Sequence, residues 1–403
     1  MIDEDMVGRL RVPLRDIKWW FLRQFSYNQF LPSKEDIECE ETKELSKQLM
    51  GDSYKETLTN IVEWQERNIQ YWHERAEMFI LLFILSAVAF FFIPLPQHLW
   101  IIPLIIILFW LFFGDFMTFF IGVLLLISEV IVAILVFVYV ANTSIIIMIV
   151  GLSIIFGSIF SLLLYGMLKY RYLKASLPEF KFADTFKSSL PIRKILQYRL
   201  AICRDYAKLT ATLLINSYGF RNNIYFITIP QHVAAAIEIK NKLYVLDQSL
   251  PVMTFNKWIN YWSEKLSGSF LSKVYSSIHR ILVGGDVHLH KLIVENGTIK
   301  LRKICRRKLA KVRDIRQVDV DILTKKVACN LGISQISNKS EPDVEINLRY
   351  FAIRYDRDEI VEFSLLQAIK NKLDSELCGN VRKITKIELF QNRSDLTLAV
   401  YMS

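Results

Sequence analysis

The chain has 403 residues, a formal net charge of +10 and a hydrophobic content of 52%. That length suits two or three domains. The five cysteines, with no C-x-x-C and no paired spacing, exclude a disulfide framework or a zinc finger and fit a reducing compartment. The basic excess suits a membrane surface, a nucleic acid or an acidic substrate, and does not choose among them.

The N-terminal stretch is polar and charged, and no signal peptide is visible. Residues 9–25 mix Arg9, Arg11, Arg15, Lys18 and Arg23 with Trp19, Trp20, Phe21 and Phe25. They read either as an amphipathic stretch on a membrane surface or as a segment packed on a globular domain. Lys34 to Glu44 is an acidic run, expected as a loop or an exposed helix face.

A long apolar block comes next, over roughly residues 78–168. A spanning helix needs about twenty apolar residues, and four spans are expected. They fall at about 78–95, 99–114, 116–140 and 145–168, with breaks at Pro94-Leu95-Pro96, Gly114-Asp115 and Ala141-Asn142-Thr143-Ser144. Arg75 before the block and Lys169, Arg171 and Lys174 after it put both ends on the cytoplasmic side. The expected localisation is therefore a multi-pass membrane protein, with both termini and the catalytic domain cytoplasmic. Few polar groups interrupt the block, which favours an anchor over a channel or transporter core.

After the block comes Lys194-Ile195-Leu196-Gln197-Tyr198-Arg199-Leu200-Ala201-Ile202-Cys203. From Cys203 the apolar spacing of Tyr206, Thr210, Leu213 and Leu214 predicts a helix, with Gly219 as its stop. Cys203 then lies in the first turn, where the positive helix end favours a thiolate. Strands are predicted for Ile224 to Ile229, His232 to Ile239 and Leu243 to Asp247. A two-residue turn near Asn241 places Asp247 opposite either Ala236 or Ala234, and in both registers on the His232 side of the sheet. In the second register the two are diagonal neighbours, about 7–8 Å apart at the backbone. A three-residue turn puts them on opposite faces. A thiol, an imidazole and a carboxylate in this order are what a nucleophilic cysteine enzyme requires.

Leu196 to Ala207, with Cys203-Arg204-Asp205-Tyr206-Ala207 at the helix start, resembles the nucleophile segment of the transglutaminase-like superfamily. His232 to Glu238 resembles its histidine strand, and Tyr244 to Pro251 its aspartate strand. Ser53 to Leu58, with Trp64, Asn68, Ile69 and Tyr71, looks like the helix that opens the family core. Ala201 stands where the family often has glycine, and alanines follow His232 where it often has tryptophan. The resemblance implies an α+β papain-like (transglutaminase-like) core. It also implies that the four-helix transmembrane block is inserted between the opening helix and the nucleophile helix. Its implied roles are Cys203 as nucleophile, His232 as general base and Asp247 as the group that orients the base. The expected reaction is hydrolysis of protein or peptide amide bonds through an acyl-enzyme, with no cofactor and no metal. The second oxyanion donor is open; Gln197 is one guess. Two other readings remain: an inactive peptide-binding or scaffold module, and a small transport protein with a cytoplasmic regulatory domain.

The resulting division is 1–77, an N-terminal segment with the opening helix; 78–168, transmembrane; 169–267, catalytic core; and 268–403, a small C-terminal α+β unit. In that last region Asp286, His288 and His290 alternate along a strand, and a solvated strand face is expected over a metal cluster. Asn296-Gly297 predicts a hairpin turn. Lys300 to Arg316 is densely basic and is expected either as a solvated face or against anionic lipid headgroups. Nucleic acid is the weaker partner, because aromatic interleaving is absent. Residues 344–402 read strand, helix, strand, strand.

Overall fold

The computed structural model describes residues 31–71, 189–219, 223–230, 232–267, 273, 277, 285–295, 298–309, 317–378 and 380–403. The chain divides into two compact units. One comprises 1–30 with 72–202, the other 31–71 with 203–403. In the first, the described residues, 189–202, hold a short helix, Ile192–Tyr198, ended by Arg199 in the left-handed conformation at φ 54°, and the two-residue strand Leu200–Ala201.

The second unit opens with three helices, α1 (Lys34–Glu38), α2 (Glu40–Leu49) and α3 (Tyr54–Asn68). Ser33 and Asp36 form a reciprocal capping box at α1, and Ser33 and Ser53 cap α1 and α3 through their hydroxyls. The acidic run at Lys34 to Glu44 is thus helical, and its Asp36 is buried. Helix α4 (Cys203–Tyr218) lies at the centre, and every residue from Arg204 to Ile215 is buried. Buried charges need partners, and Lys208 Nζ meets Asp36 Oδ2 at 3.0 Å. Gly219, at φ 69°, ends α4 by donating its N–H to Ile215 O at 2.7 Å. This is the left-handed residue past a helix end that glycine adopts without strain.

Strands β1 (Ile224–Ile229), β2 (His232–Ile239), β3 (Lys242–Leu246), β4 (Met253–Thr254), β5 (Val287–Glu295) and β6 (Thr298–Arg307) form an antiparallel sheet in the order β4-β3-β2-β1-β5-β6. Helix α4 packs on β1 and β2 from one side. Helix α5 (Phe255–Ser267) packs on β3 and β4. Its Trp258 joins Tyr225, Ile227, Ala234, Ala236 and Val245 in a buried cluster on one face of the sheet. With both faces covered, strand positions are buried without alternation: all six of β1 are buried.

The C-terminal segment adds α6 (Val320–Leu331), β7 (Val344–Leu348), α7 (Phe351–Arg354), α8 (Glu359–Glu376), β8 (Ile384–Asn392) and β9 (Asp395–Met402). The three strands form an antiparallel sheet ordered β8-β9-β7. Leu365, Ile369 and Leu373 of α8 pack with Ile346, Ile387 and Leu398 of this sheet. Another side of α8 meets α3, where Glu63 accepts from Gln367 at 3.0 Å and Asn371 at 2.9 Å.

Two expectations are corrected. The described residues form a mixed α/β protein with several sheets, and among them there is no inserted four-helix transmembrane block such as the papain-like reading expected. Among the described residues no helix is long and apolar enough to cross a membrane, and the multi-pass localisation with cytoplasmic ends falls with that block. The described helices are too charged or too short to be spans. The 18-residue α8 carries Glu359, Glu362, Lys370, Lys372, Asp374 and Glu376, and α4 is short and carries Arg204, Asp205 and Lys208. Residues 78–168, on which the spans were expected, lie outside the described residues, as do the 9–25 segment, the Asn296-Gly297 turn and 310–316 of the basic run. The second correction concerns Asp286, His288 and His290. They do not form a solvated face: all three are fully buried.

Candidate active site

Cys203 is the first residue of α4, so its sulfur and its backbone N–H both lie at the positive helix end. The residue is half-buried. His232 is the first residue of β2, and Asp247 follows the last residue of β3.

The hairpin joining β2 and β3 decides whether the last two can meet. Lys240 and Asn241 both have positive φ, at 50° and 62°, as a two-residue primed turn requires. Ile239 pairs with Lys242 and Ala235 with Leu246. Continued by one step, this register sets Asp247 opposite Ala234 and diagonal to His232. The side chains close the gap: His232 Nε2 lies 2.7 Å from Asp247 Oδ1. The Cys203 thiol lies near enough to the His232 ring to act on its protonation. The structure therefore brings Cys203, His232 and Asp247 together. Gln197 belongs to the other unit, on the helix Ile192–Tyr198.

Asp247 is closely held. Its Oδ1 also accepts the Gln248 N–H at 2.9 Å. Its Oδ2 accepts the indole N–H of Trp258 at 2.8 Å and of Trp262 at 3.1 Å. Burial acts most strongly on this carboxyl and pushes its pKa up. The His232 charge, the His232 hydrogen bond and the two indoles outweigh burial and hold Asp247 well below the usual carboxylate range. An ionised carboxylate only accepts, so Nε2 of His232 carries the proton it shares with Asp247 and Nδ1 is left for Cys203. For His232, too, burial is the largest influence and disfavours the imidazolium. Asp247 and then Cys203 prevail and raise the ring to about 9.

Trp258 and Trp262 are the site residues that sequence reasoning missed. Trp262 stacks on the His232 ring at 4.1 Å between centroids, and the Lys265 ammonium lies 4.4 Å from its ring centroid. The signal was present: two tryptophans four residues apart share one helix face, in the first helix after the aspartate strand. They occupy the site from α5 rather than from the histidine strand, where Ala234 and Ala236 share a cluster with Trp258. Two further missed residues, Glu66 of α3 and Arg354 of α7, hold the loop after Asp247. Glu66 accepts the Leu250 N–H at 3.0 Å, and Arg354 donates to Ser249 O at 3.1 Å.

Asp286, His288 and His290 lie at the start of β5 and just before it, and His288 pairs with Thr228 of β1. Asp286 accepts the Leu309 N–H at 3.1 Å, and the two imidazoles are parallel at 6.1 Å. Burial first, then the charges of His288 and Lys303, push His290 down to about 3. Among the described residues no group of three or more such side chains is arranged to hold a metal ion.

A family described as a transglutaminase-like domain matches residues 40–146 and 164–275. These are more than half of the chain, and they include α3, Cys203, His232 and Asp247. The chain belongs to that family. Among known proteins it is similar to UPF0252 protein MJECL39 of Methanocaldococcus jannaschii, 27% identical over 378 residues that cover 91% of this chain and 94% of that protein. It is also similar to Uncharacterized protein MJECS12 of the same organism, 44% identical over 59 residues, or 14% of this chain and 84% of that one. No solved structure matches the chain.

Proposed function

We propose that the protein is a cysteine amidase acting on protein or peptide substrates, with Cys203, His232 and Asp247 as its catalytic groups. The observation that carries this reading is the 2.7 Å contact between His232 and Asp247, with the Cys203 thiol near enough to the same ring to raise its pKa. Membership of a transglutaminase-like family supports the same chemistry.

In the proposed reaction His232 takes the Cys203 proton and becomes an imidazolium facing a thiolate. Asp247, kept ionised by its four donors, stabilises that imidazolium and fixes the ring. The thiolate attacks an amide carbonyl, and the oxyanion forms beside the first-turn N–H of Cys203. His232 returns the proton to the leaving amine, the C–N bond breaks, and a thioester remains. Water, deprotonated by the same ring, then attacks the thioester and regenerates the thiol. We favour water over an amine as the acceptor because water is abundant and no feature for binding an amine is evident in the sequence.

The test is labelling by a thiol-directed activity probe in the full-length protein. Wild type should label at one dominant position, and Cys203→Ala should abolish that label. Equal labelling of the variant would remove the enzyme reading in favour of a non-catalytic peptide-binding module.

A further inference from the structure

We propose that Arg354, which lies beyond the matched family region, is a positioning residue for the Asp247–His232 pair, so that the C-terminal segment is a working part of the centre. The inference rests on the proposed function for what the pair does, and on geometry alone for how it is held.

Asp247 begins a loop, 247–252, with no regular secondary structure of its own. Side chains from three helices hold the backbone of that loop. Glu66 of α3 takes the Leu250 N–H. Ser364 of α8 accepts the Val252 N–H at 3.0 Å. Arg354 of α7 reaches Ser249 O at 3.1 Å and, more weakly, Pro251 O at 3.5 Å. The two C-terminal grips thus flank the one from α3.

Arg354 also holds the aromatic wall. Its guanidinium lies 5.1 Å from the centre of the Tyr261 ring and 5.6 Å from that of Phe351. Tyr261 meets Trp262 edge-on at 5.4 Å, and Trp262 both stacks on His232 and donates to Asp247. One side chain therefore braces the loop carrying the carboxylate and the helix carrying the indoles. A buried guanidinium is costly unless charges and acceptors surround it. Here Tyr261, Asp247 and Glu66 supply the favourable interactions that counter its burial. Both carbonyl bonds come from one nitrogen, Nη2, while the guanidinium carbon sits over two rings. Lysine, whose compact ammonium lacks the delocalised plane that packs on aromatic rings, does not keep both sets of contacts.

The experiment compares wild type with Arg354→Met and Arg354→Lys, each as the full chain. The readout is the pKa of His232, followed by NMR of labelled histidine and assigned with His232→Asn. Near-UV circular dichroism of the tryptophans checks folding. If Arg354 positions the pair, both variants loosen Asp247 and the His232 pKa falls by about one unit or more. If Arg354 acts only through its charge, Arg354→Met raises that pKa and Arg354→Lys leaves it in place. Either that pattern or an unchanged pKa in folded variants overturns the proposal. Should Arg354→Met fail to fold, Arg354→Lys, which keeps charge and stem, carries the test. The two proposals fail separately. A wild type that takes no label at Cys203 overturns the amidase reading alone, whereas a His232 pKa indifferent to Arg354 overturns this one alone.

Discussion

Replacing Asp247 by asparagine keeps the shape and removes the charge, and the surrounding donors set the consequence. Four of them face the two oxygens: His232 Nε2 and the Gln248 N–H at Oδ1, the two indoles at Oδ2. An amide has one oxygen to offer. If its NH2 faced the indoles, two buried donors would point at a third. The oxygen therefore stays with Trp258 and Trp262, and the NH2 turns to His232 and Gln248. The backbone N–H cannot adapt, but the imidazole can, by moving its proton from Nε2 to Nδ1. That is the wrong tautomer, because Nδ1 must accept from Cys203. The stability terms partly cancel. An orphaned Gln248 N–H costs about 1–3 kcal/mol, and weakening the indole bonds costs about 1 kcal/mol each. Burial, the strongest influence on this carboxyl, no longer opposes a charge, which returns several kcal/mol. The expected net change is within about 2 kcal/mol, whereas the activity of the proposed amidase falls on the order of 10⁴-fold, as for the same change in a serine triad. Urea denaturation reads the first quantity. The alkylation rate of Cys203 and the ¹⁵N shifts of His232 read the chemistry. An Asp247→Asn protein that keeps its proton on Nε2 and alkylates at the wild-type rate would refute this reasoning.

Charge burial sets two further outcomes. His232 is raised from 6.5 to about 9, so its contribution to stability is complete below pH 6.5 and is lost as pH rises through about 9. Its size is on the order of 3 kcal/mol. Asp247 is shifted the other way, so its contribution holds above the ordinary carboxylate range and is lost only in stronger acid. The stability difference between wild type and His232→Asn, measured in urea from pH 5 to 10, should be constant up to about 6.5 and then shrink. A difference that stays flat to pH 10 contradicts the assignment. Lys208→Met leaves Asp36 buried without its 3.0 Å ammonium partner. The expected cost is about 3 kcal/mol, the lower end for a broken buried pair, because the Ser33 N–H still donates to Asp36 at 2.9 Å. A loss under about 1 kcal/mol would show that the pair adds little to stability.

Local patterns in the sequence carried the helix that starts at Cys203, the strands around His232 and the parity that keeps His232 and Asp247 on one face. They did not select the register. Lys240, Asn241 and Lys242 all suit a turn, and only the positive φ of Lys240, an unforced choice for lysine, fixes it. Alternation at His288 and His290 misled for a related reason: it predicts one wet face only when one face is uncovered. Arg354 was invisible, because its partners are carbonyls and rings brought together by tertiary packing. The apolar block, residues 78–168, lies outside the described residues. The described helices take their character from what they pack against, and none of them has the length and apolarity of a span.

The position of the three groups results from the layering of the sheet. By parity His232 and Asp247 face the side covered by α5, where Trp258 and Trp262 wait, while Cys203 opens the helix on the opposite side. A sheet separates its two faces, so residues of opposite faces touch only at its ends. His232 meets this condition as the first residue of β2, and Asp247 as the first residue past β3. One pleat period further in, at 234, a histidine would lie in the apolar cluster with Trp258, cut off from the sulfur. Alanine holds that position, and its small side chain leaves room for the indole that binds Asp247. The same placement grades exposure along the line of groups. The thiol is half-buried, while the imidazole and carboxylate are buried. In the proposed reaction the sulfur, the least buried of the three, makes the attack, the His232 ring exchanges protons with it, the leaving amine and water, and Asp247 stays buried, where its attraction for the imidazolium is strongest.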